Sequence, residues 1–171
     1  MNICGFYPES INEGPGLRAV LFISGCRHGC KGCFSKQTWS FEAGEPFHEA
    51  KQAELLNDIA ANPLLRGITL CGGDPFFSAE ELIPFVQTIR QRLPYLDIWS
   101  YTGFTFEALI RNKHDSKFQL LQLCDVIIDG KYNEQLRDLT LLYRGSSNQR
   151  IINVPLSLET ETLQLINHFD L

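Results

Sequence analysis

Leu17-Arg18-Ala19-Val20-Leu21-Phe22-Ile23-Ser24 runs directly into Gly25-Cys26-Arg27-His28-Gly29-Cys30-Lys31-Gly32-Cys33. The first eight residues are largely apolar and rich in strand formers, as a buried parallel strand requires. The stretch that follows places three thiols at Cys-x3-Cys-x2-Cys within one short loop and supplies no fourth. Electron-transfer loops of the ferredoxin type add a nearby fourth cysteine so that protein caps every iron, and a structural zinc site likewise takes four ligands. Three thiolates suit a cubane iron–sulfur cluster with one iron left open for a substrate. An open iron implies chemistry rather than scaffolding.

Outward from that stretch, strand-like and helix-like segments alternate. Glu49 to Asn62 carries Leu55, Leu56, Ile59 and Ala60 at helical spacing and is followed by Pro63. Gly67 to Cys71 reads as a second strand. Ser78 and Glu81 have the spacing of a capping box ahead of a helix striped by Leu82, Val86, Ile89 and Leu93, and Pro94 stops it. Asp97 to Tyr101 is a third strand, with helices expected around Phe106 to Asn112 and Lys117 to Leu123. Val126 to Asp129 and Ile151 to Val154 make a fourth and a fifth, and Thr160 to Phe169 a closing helix with Leu163, Ile166 and Phe169 inward.

Such alternation predicts an α/β fold with a parallel sheet and helical crossovers. A complete eight-stranded barrel takes about 250 residues, so this chain is expected to form a partial, open parallel β/α barrel of roughly five to six strands. The cysteine loop, Gly72-Gly73-Asp74-Pro75, Thr102-Gly103 and Asp129-Gly130-Lys131 then all fall at the C-terminal ends of parallel strands, where α/β folds assemble active sites.

No repeat, low-complexity tract or composition break divides the chain, so residues 1–171 are expected to form one domain. Hydrophobic residues make up 44%, which supports a globular core and argues against disorder. A net charge of −5 leaves no electrostatic footprint for nucleic acid. No apolar run approaches the roughly 20 residues that span a bilayer, and no basic segment leading into an apolar run marks a signal peptide. A cytoplasmic location is therefore expected, with neither membrane nor nucleic acid as partner. There, clustered cysteines signal metal binding or catalysis rather than disulfides. Cys4, Cys71 and Cys124 read as small buried apolar side chains, the alternative being Cys71 or Cys124 as a fourth thiolate in a non-catalytic zinc module. His28, His48, His114 and His168 show no paired spacing for a metal site, and no Walker phosphate loop is present.

Five stretches taken together resemble the radical S-adenosylmethionine (SAM) superfamily and, within it, the glycyl-radical activases. They are Asn12-Glu13-Gly14-Pro15-Gly16-Leu17-Arg18, the cysteine loop, Gly72-Gly73-Asp74-Pro75, Asp129-Gly130-Lys131-Tyr132 and Arg144-Gly145-Ser146-Ser147-Asn148-Gln149. The cysteine spacing carries the superfamily likeness and the last stretch the narrower one. The resemblance implies one 4Fe–4S cluster bound by Cys26, Cys30 and Cys33, with the amino and carboxylate groups of SAM on the fourth iron. It implies reductive cleavage of SAM and abstraction of a hydrogen atom from a glycine. The partner implied is the catalytic subunit of anaerobic ribonucleoside-triphosphate reductase, with an electron donor such as flavodoxin. Within the superfamily the alternatives are another glycyl-radical enzyme or a small nucleobase-like substrate. The oligomeric state is left open between monomer and homodimer.

The same resemblance assigns roles position by position. Gly72, Gly73 and Asp74 match the family's Gly-Gly-Glu motif, with Asp as a shorter arm of the same charge. Bare backbone there can approach SAM, and the carboxylate can meet its ammonium; an ordinary turn is the alternative. Many members place an aromatic before the third cysteine, whereas this chain has Gly32 there and Phe34 after Cys33. The backbone of Gly32, Cys33 and Phe34 would then edge the adenine, with Phe34 as a core residue the other reading. Arg18 reads as a surface ion pair or as a contact to ligand or partner. Thr102, Asp129 and Lys131 sit at the expected mouth, Asp129 and Lys131 as ligand contacts or a solvated turn. Arg144, Ser146 and Asn148 belong to a polar surface turn, a lip around the site or a docking face for the reductase.

Overall fold

The computed structural model describes residues 1–167; Phe169, expected at the end of a closing helix, lies outside them. Four strands form the parallel centre of a seven-stranded sheet: β2 (Arg18–Ile23), β4 (Gly67–Gly72), β5 (Asp97–Tyr101) and β6 (Val126–Asp129), side by side in that order. Against β2 lies the antiparallel β1 (Asn2–Ser10), which carries the two-residue β3 (Glu45–Pro46) on its outer edge. On the far side, β7 (Arg150–Asn153) pairs antiparallel with β6. The helices are α1 (Glu49–Ala61), α2 (Ala79–Arg92), the single turn α3 (Phe106–Leu109), α4 (Ser116–Gln122) and α5 (Val154–Glu159).

The four parallel strands stand where the sequence put them, and the differences lie at the edges. The 151–154 strand enters antiparallel because no helix crosses over between β6 and β7. The connection holds only a 3-10 turn at Glu134–Leu136, so the chain returns from the end at which it left. β1 escaped notice because Gly5 and Pro8 interrupt its pattern, and its pairing with β2 breaks register between Ile3 and Gly5 and again between Tyr7 and Ser10. The closing helix comes earlier than its apolar spacing suggested. Asn153 caps α5 by accepting from the Leu156 N–H, with Pro155 in the first turn. Thr160 to Asn167 then run without helix, Leu165 bridging back to Ile152 and Glu161 standing at φ 52°. Ser78 makes no side-chain cap at α2, so the capping box spacing is not used as such.

Alternation along the strands sorts residues to two faces. On one, Ala19, Leu21, Ile23, Ile68, Leu70, Ile98 and Ile127 pack with Leu82, Phe85, Val86 and Ile89 of α2 and with Leu120 and Leu121 of α4. On the other, Trp99, Val126, Ile128 and Ile151 form a smaller cluster joined by Tyr101, Tyr143 and Ile166. Among the described residues no helix is long and apolar enough to cross a membrane.

The second face contains a charge. Arg18, at the start of β2, is 0% exposed and not the surface residue that its sequence context suggested. Its guanidinium donates to Thr69 Oγ1 at 2.8 Å and to the Ile68 carbonyl at 3.0 Å, pairs with Asp97 Oδ1 at 2.5 Å, and lies 5.3 Å from the Trp99 ring centroid. Burial lowers its pKa from the ordinary arginine value while Asp97 opposes the shift. Position at the N-terminal end of β2 sets it at the opposite end of the strand from the cysteine loop, and so makes it a structural residue.

Arg18→Ala should destabilise the iron-free protein by about 3 kcal/mol, because it empties a packed site and takes a donor from Thr69 and from Asp97, leaving Asp97 only the looser pairing with Arg66. Arg18→Met, which fills the space without a charge, should lose much less. Urea unfolding under anaerobic, reducing conditions checks both; equal losses for the two variants would contradict this account.

Candidate active site

The four parallel strands end at one rim, and each ends in one of the unusual peptides. Cys26, Cys30 and Cys33 beyond β2, Gly72, Gly73 and Asp74 at β4, Thr102 and Gly103 beyond β5, and Gly130 and Lys131 beyond β6 all line a single cavity of about 280 Å³. A parallel sheet brings strand ends to one edge whatever their separation in sequence, which is how residues 26 and 130 come to share a wall.

The cysteine loop is rooted on the end of β4. Gly73 N donates to the Ile23 carbonyl at 2.7 Å and Asp74 N to the Gly25 carbonyl at 2.9 Å, prolonging the β2–β4 pairing past both strands. A Cβ on Gly73 would stand 2.4 Å from the Gly25 carbonyl oxygen, and Gly72 turns at φ 100°. The paired glycines thus admit the neighbouring backbone, and both also face the cavity.

Asp74 is 1% exposed and its carboxylate is engaged by protein. Oδ1 accepts the Phe76 N–H at 2.9 Å, while Oδ2 accepts the Thr102 hydroxyl at 3.0 Å and the Gly103 N–H at 2.9 Å. The ring Nε2 of His28, from inside the cysteine loop, completes the set at 2.7 Å. The arm expected to reach a ligand therefore points into the protein, and Thr102, expected at the mouth, is a buried partner to it.

All three loop cysteines are free and half-buried. Cys33 Sγ accepts the Ser35 N–H at 3.4 Å, and the backbone amides of His28 and Tyr132 are directed at the sulfurs of Cys26 and Cys30. Burial pushes the thiols of Cys26 and Cys30 up from their ordinary pKa, with the neighbouring thiols adding to the shift. A bound cation reverses that preference and releases the protons. Among the described residues no three His, Cys, Asp or Glu side chains gather around a single ion. Three thiols on one loop lining a shared cavity, each met by an amide, are a donor set that a cluster taking one thiolate per iron could use. Cys124 lies on the helix-covered face with its thiol on the Leu120 carbonyl, away from the cavity, whereas Cys71 is buried in the cavity wall.

Other candidates have roles the sequence did not show. Phe34 is 66% exposed and therefore no core residue; its ring stands edge-on to Tyr132 at 5.8 Å, with the Arg137 guanidinium 5.5 Å from its centroid. Gly32 turns at φ 75° beside Glu134 and does not line the cavity. Lys131 is exposed at the rim. Asn148 Nδ2 donates to the Lys131 carbonyl at 2.8 Å, Gln149 Nε2 to the Gly130 carbonyl at 3.2 Å, and Ser146 Oγ accepts the Asn133 N–H at 3.1 Å. Arg144 Nη1 donates to the Gln149 carbonyl at 2.9 Å. The Arg144 to Gln149 peptide is thus a brace for the 130–133 loop, whose Tyr132 amide faces Cys30. His28, Tyr101, Tyr132 and Gln149 also line the cavity and were not among the sequence candidates. His28 had a signal in its place between two of the cysteines, and Tyr132 and Gln149 in the stretches that carry the resemblance, while Tyr101 had only its place at the end of a strand.

Asp129 is buried, not solvated. Its Oδ2 accepts the Phe106 N–H at 2.7 Å and its Oδ1 the Arg150 Nε at 2.9 Å. Arg150 also grips Glu107 through two bonds of 2.9 and 2.8 Å, holding that carboxyl well below its ordinary 4.5, at about 2.

The comparisons give this rim its class, that of an iron–sulfur protein: the family described as "4Fe-4S single cluster domain" matches residues 12–152. The anaerobic ribonucleoside-triphosphate reductase-activating protein of Pasteurella multocida (strain Pm70) is 43% identical over 155 residues, covering 88% of this chain and 96% of that protein. The protein of that name from Escherichia coli (strain K12) is 40% identical over 152 residues, covering 87% and 96%, and that from Enterobacteria phage T4 39% over 153 residues, covering 88% and 93%. The chain belongs to the family of anaerobic ribonucleoside-triphosphate reductase-activating proteins. Among solved structures, QueE from Escherichia coli aligns at a TM-score of 0.45 and 18% identity over 74% of this chain and 69% of that one, too loosely to bear on function.

Two outcomes follow from this geometry. Gly73→Ala drives a methyl into the Gly25 carbonyl and should cut iron retained after anaerobic reconstitution by more than half; retention equal to wild type would show that the loop root yields freely. The depressed Glu107 carboxyl contributes stability in full above pH 4.5, and this is lost as pH falls toward about 2. The difference in urea midpoint between wild type and Glu107→Gln should therefore narrow from pH 6 to pH 3, and narrow with added salt at pH 6 because the pair is exposed.

Proposed function

We propose that this chain is an iron–sulfur activase that reductively cleaves SAM and removes a hydrogen atom from a glycine Cα of anaerobic ribonucleoside-triphosphate reductase, leaving a glycyl radical on that partner. The observation that carries the reading is the set of three free thiols on one loop, opening on a cavity at the C-terminal rim of the parallel sheet. Cys26, Cys30 and Cys33 would each hold one iron of a 4Fe–4S cluster, and the methionine end of SAM would take the fourth. The chemistry supplied there, once cluster and SAM are bound, is one-electron cleavage of the S–C5′ bond to methionine and a 5′-deoxyadenosyl radical that abstracts the glycine hydrogen. The electron comes from a low-potential donor such as flavodoxin.

The protein's own residues supply placement and shelter. Gly72 and Gly73 form a side-chain-free edge of the cavity, where the polar end of SAM can lie against backbone. Amides directed at the three sulfurs stabilise thiolate charge, and hydrogen bonds to sulfur are a recognised lever on cluster potential. Phe34 and Tyr132 flank the mouth and offer apolar faces to adenine or to an incoming peptide. Read as part of a β/α barrel of the radical SAM type, the sheet leaves one side unclosed, and a glycine in a polypeptide needs such an approach.

Anaerobic incubation with SAM, reductant and the reductase should produce a glycine-centred electron paramagnetic resonance (EPR) signal; methionine release without it would reject the reductase as target. Cys26→Ser, Cys30→Ser and Cys33→Ser should each bring iron well below the roughly four per chain of a full cluster, while Cys71→Ser and Cys124→Ser keep it. Loss of metal in Cys71→Ser equal to that in the loop variants would favour a four-thiolate site instead.

A further inference from the structure

We propose that His28 is the positioning residue of the cysteine loop, and that Asp74 acts through His28 rather than as a contact to SAM. The inference rests on the reading of the site as a cluster-and-SAM centre and deepens it. A carboxylate offers about four lone-pair directions. Asp74 has four protein donors: the Phe76 amide on Oδ1, and the Thr102 hydroxyl, the Gly103 amide and the His28 ring on Oδ2. Oδ2 is filled by its three donors, and Oδ1, which takes one, belongs to a side chain only 2% exposed, so the carboxylate is turned to the protein rather than to a ligand ammonium. Because a carboxylate only accepts, the bond fixes Nε2 of His28 as the protonated nitrogen and so selects the tautomer.

The ring is held as firmly as its nitrogen. Its centroid lies 4.9 Å from that of Phe77 and 4.7 Å from that of Phe104, and the side chain is 7% exposed. Gly103 lies so near that a Cβ there would stand 2.4 Å from the imidazole. The backbone of His28, meanwhile, sits between Cys26 and Cys30 with its amide directed at the Cys26 sulfur. One residue therefore couples a cluster thiol to the ends of β4 and β5, which is what an outer-shell partner of a metal ligand does. Displacing the ring would let the loop shift over the Gly72–Gly73 edge, altering how SAM sits against the cluster.

His28→Phe keeps the packing between the two aromatic rings and removes the donor; His28→Gln restores an N–H. After anaerobic reconstitution of the full chain, iron content, SAM affinity and the SAM-induced change in the reduced cluster's EPR spectrum are compared with wild type. His28→Phe should weaken cluster retention or SAM affinity by roughly 10–100-fold and alter the SAM-induced spectrum, with His28→Gln recovering most of both. In the cycle with Asp74→Asn, the double variant should lose little more than His28→Phe alone. Fully additive losses would mean that Asp74 touches SAM itself and would overturn the proposal. So would wild-type spectra and affinity in His28→Phe, or loss of fold in the iron-free variants by circular dichroism, which would leave His28 a purely structural role. Failure of the wild-type protein to bind iron or respond to SAM would instead strike the functional reading beneath it.

Discussion

Two hydrogen bonds, from Gly73 N to the Ile23 carbonyl and from Asp74 N to the Gly25 carbonyl, carry the β2–β4 pairing beyond the last residues of both strands. They exist only because the β4 strand ends in glycines: any side chain at Gly73 would occupy the place of the Gly25 backbone. From that root the cysteine loop departs at a defined angle. A loop with eight residues from Cys26 to Cys33 and three glycines from Gly25 to Gly32 has little order of its own, so its shape is borrowed from the sheet edge beneath it.

The rim is stiffened from two sides. Toward β5, Asp74 gathers the Thr102 hydroxyl, the Gly103 amide and the His28 ring into one buried point, so that three strand ends share a single acceptor. Toward β6, the side chains of Ser146, Asn148 and Gln149 hold the backbone of residues 130–133. Both arrangements use polar side chains to satisfy loop backbone that a regular sheet can no longer pair. Buried polar networks of this kind are costly when half made, and these are nearly complete among the described residues, where Arg144 Nε is the one buried side-chain nitrogen or oxygen without a partner.

Below the rim, the two faces of the sheet divide the work. Helices α2 and α4 seal one face with aliphatic side chains, which supplies most of the apolar burial. The other face carries Trp99, Val126, Ile128, the buried Arg18 and, nearest the rim, Cys71 and Tyr101 in the cavity wall. Tyr101 donates its hydroxyl to the Tyr143 carbonyl, and burial raises its pKa above the ordinary tyrosine value. A polar, incompletely filled interior on one side and a tight apolar layer on the other is the arrangement that lets a chain of 171 residues keep a cavity without losing its core.

The amino-acid order by itself determined the four parallel strands, the helices α1, α2 and α4 and the three-thiol loop, because these rest on local signals: apolar runs, helical spacing and cysteine intervals. It also located the four peptides that meet at the rim, since parallel strands with crossovers send their C-terminal ends to one edge. What only the tertiary structure decided were partnerships between residues far apart in the chain. His28 finds Asp74 across 46 positions, Arg18 finds Asp97 across 79, and the Arg144–Gln149 peptide finds the loop after β6. A hydrogen bond depends on distance and direction in space, and neither leaves a mark on the spacing of the two residues in one sequence. The antiparallel entry of β7 was hidden for a similar reason: strand direction is set by how the chain returns to the sheet, not by the residues that make the strand.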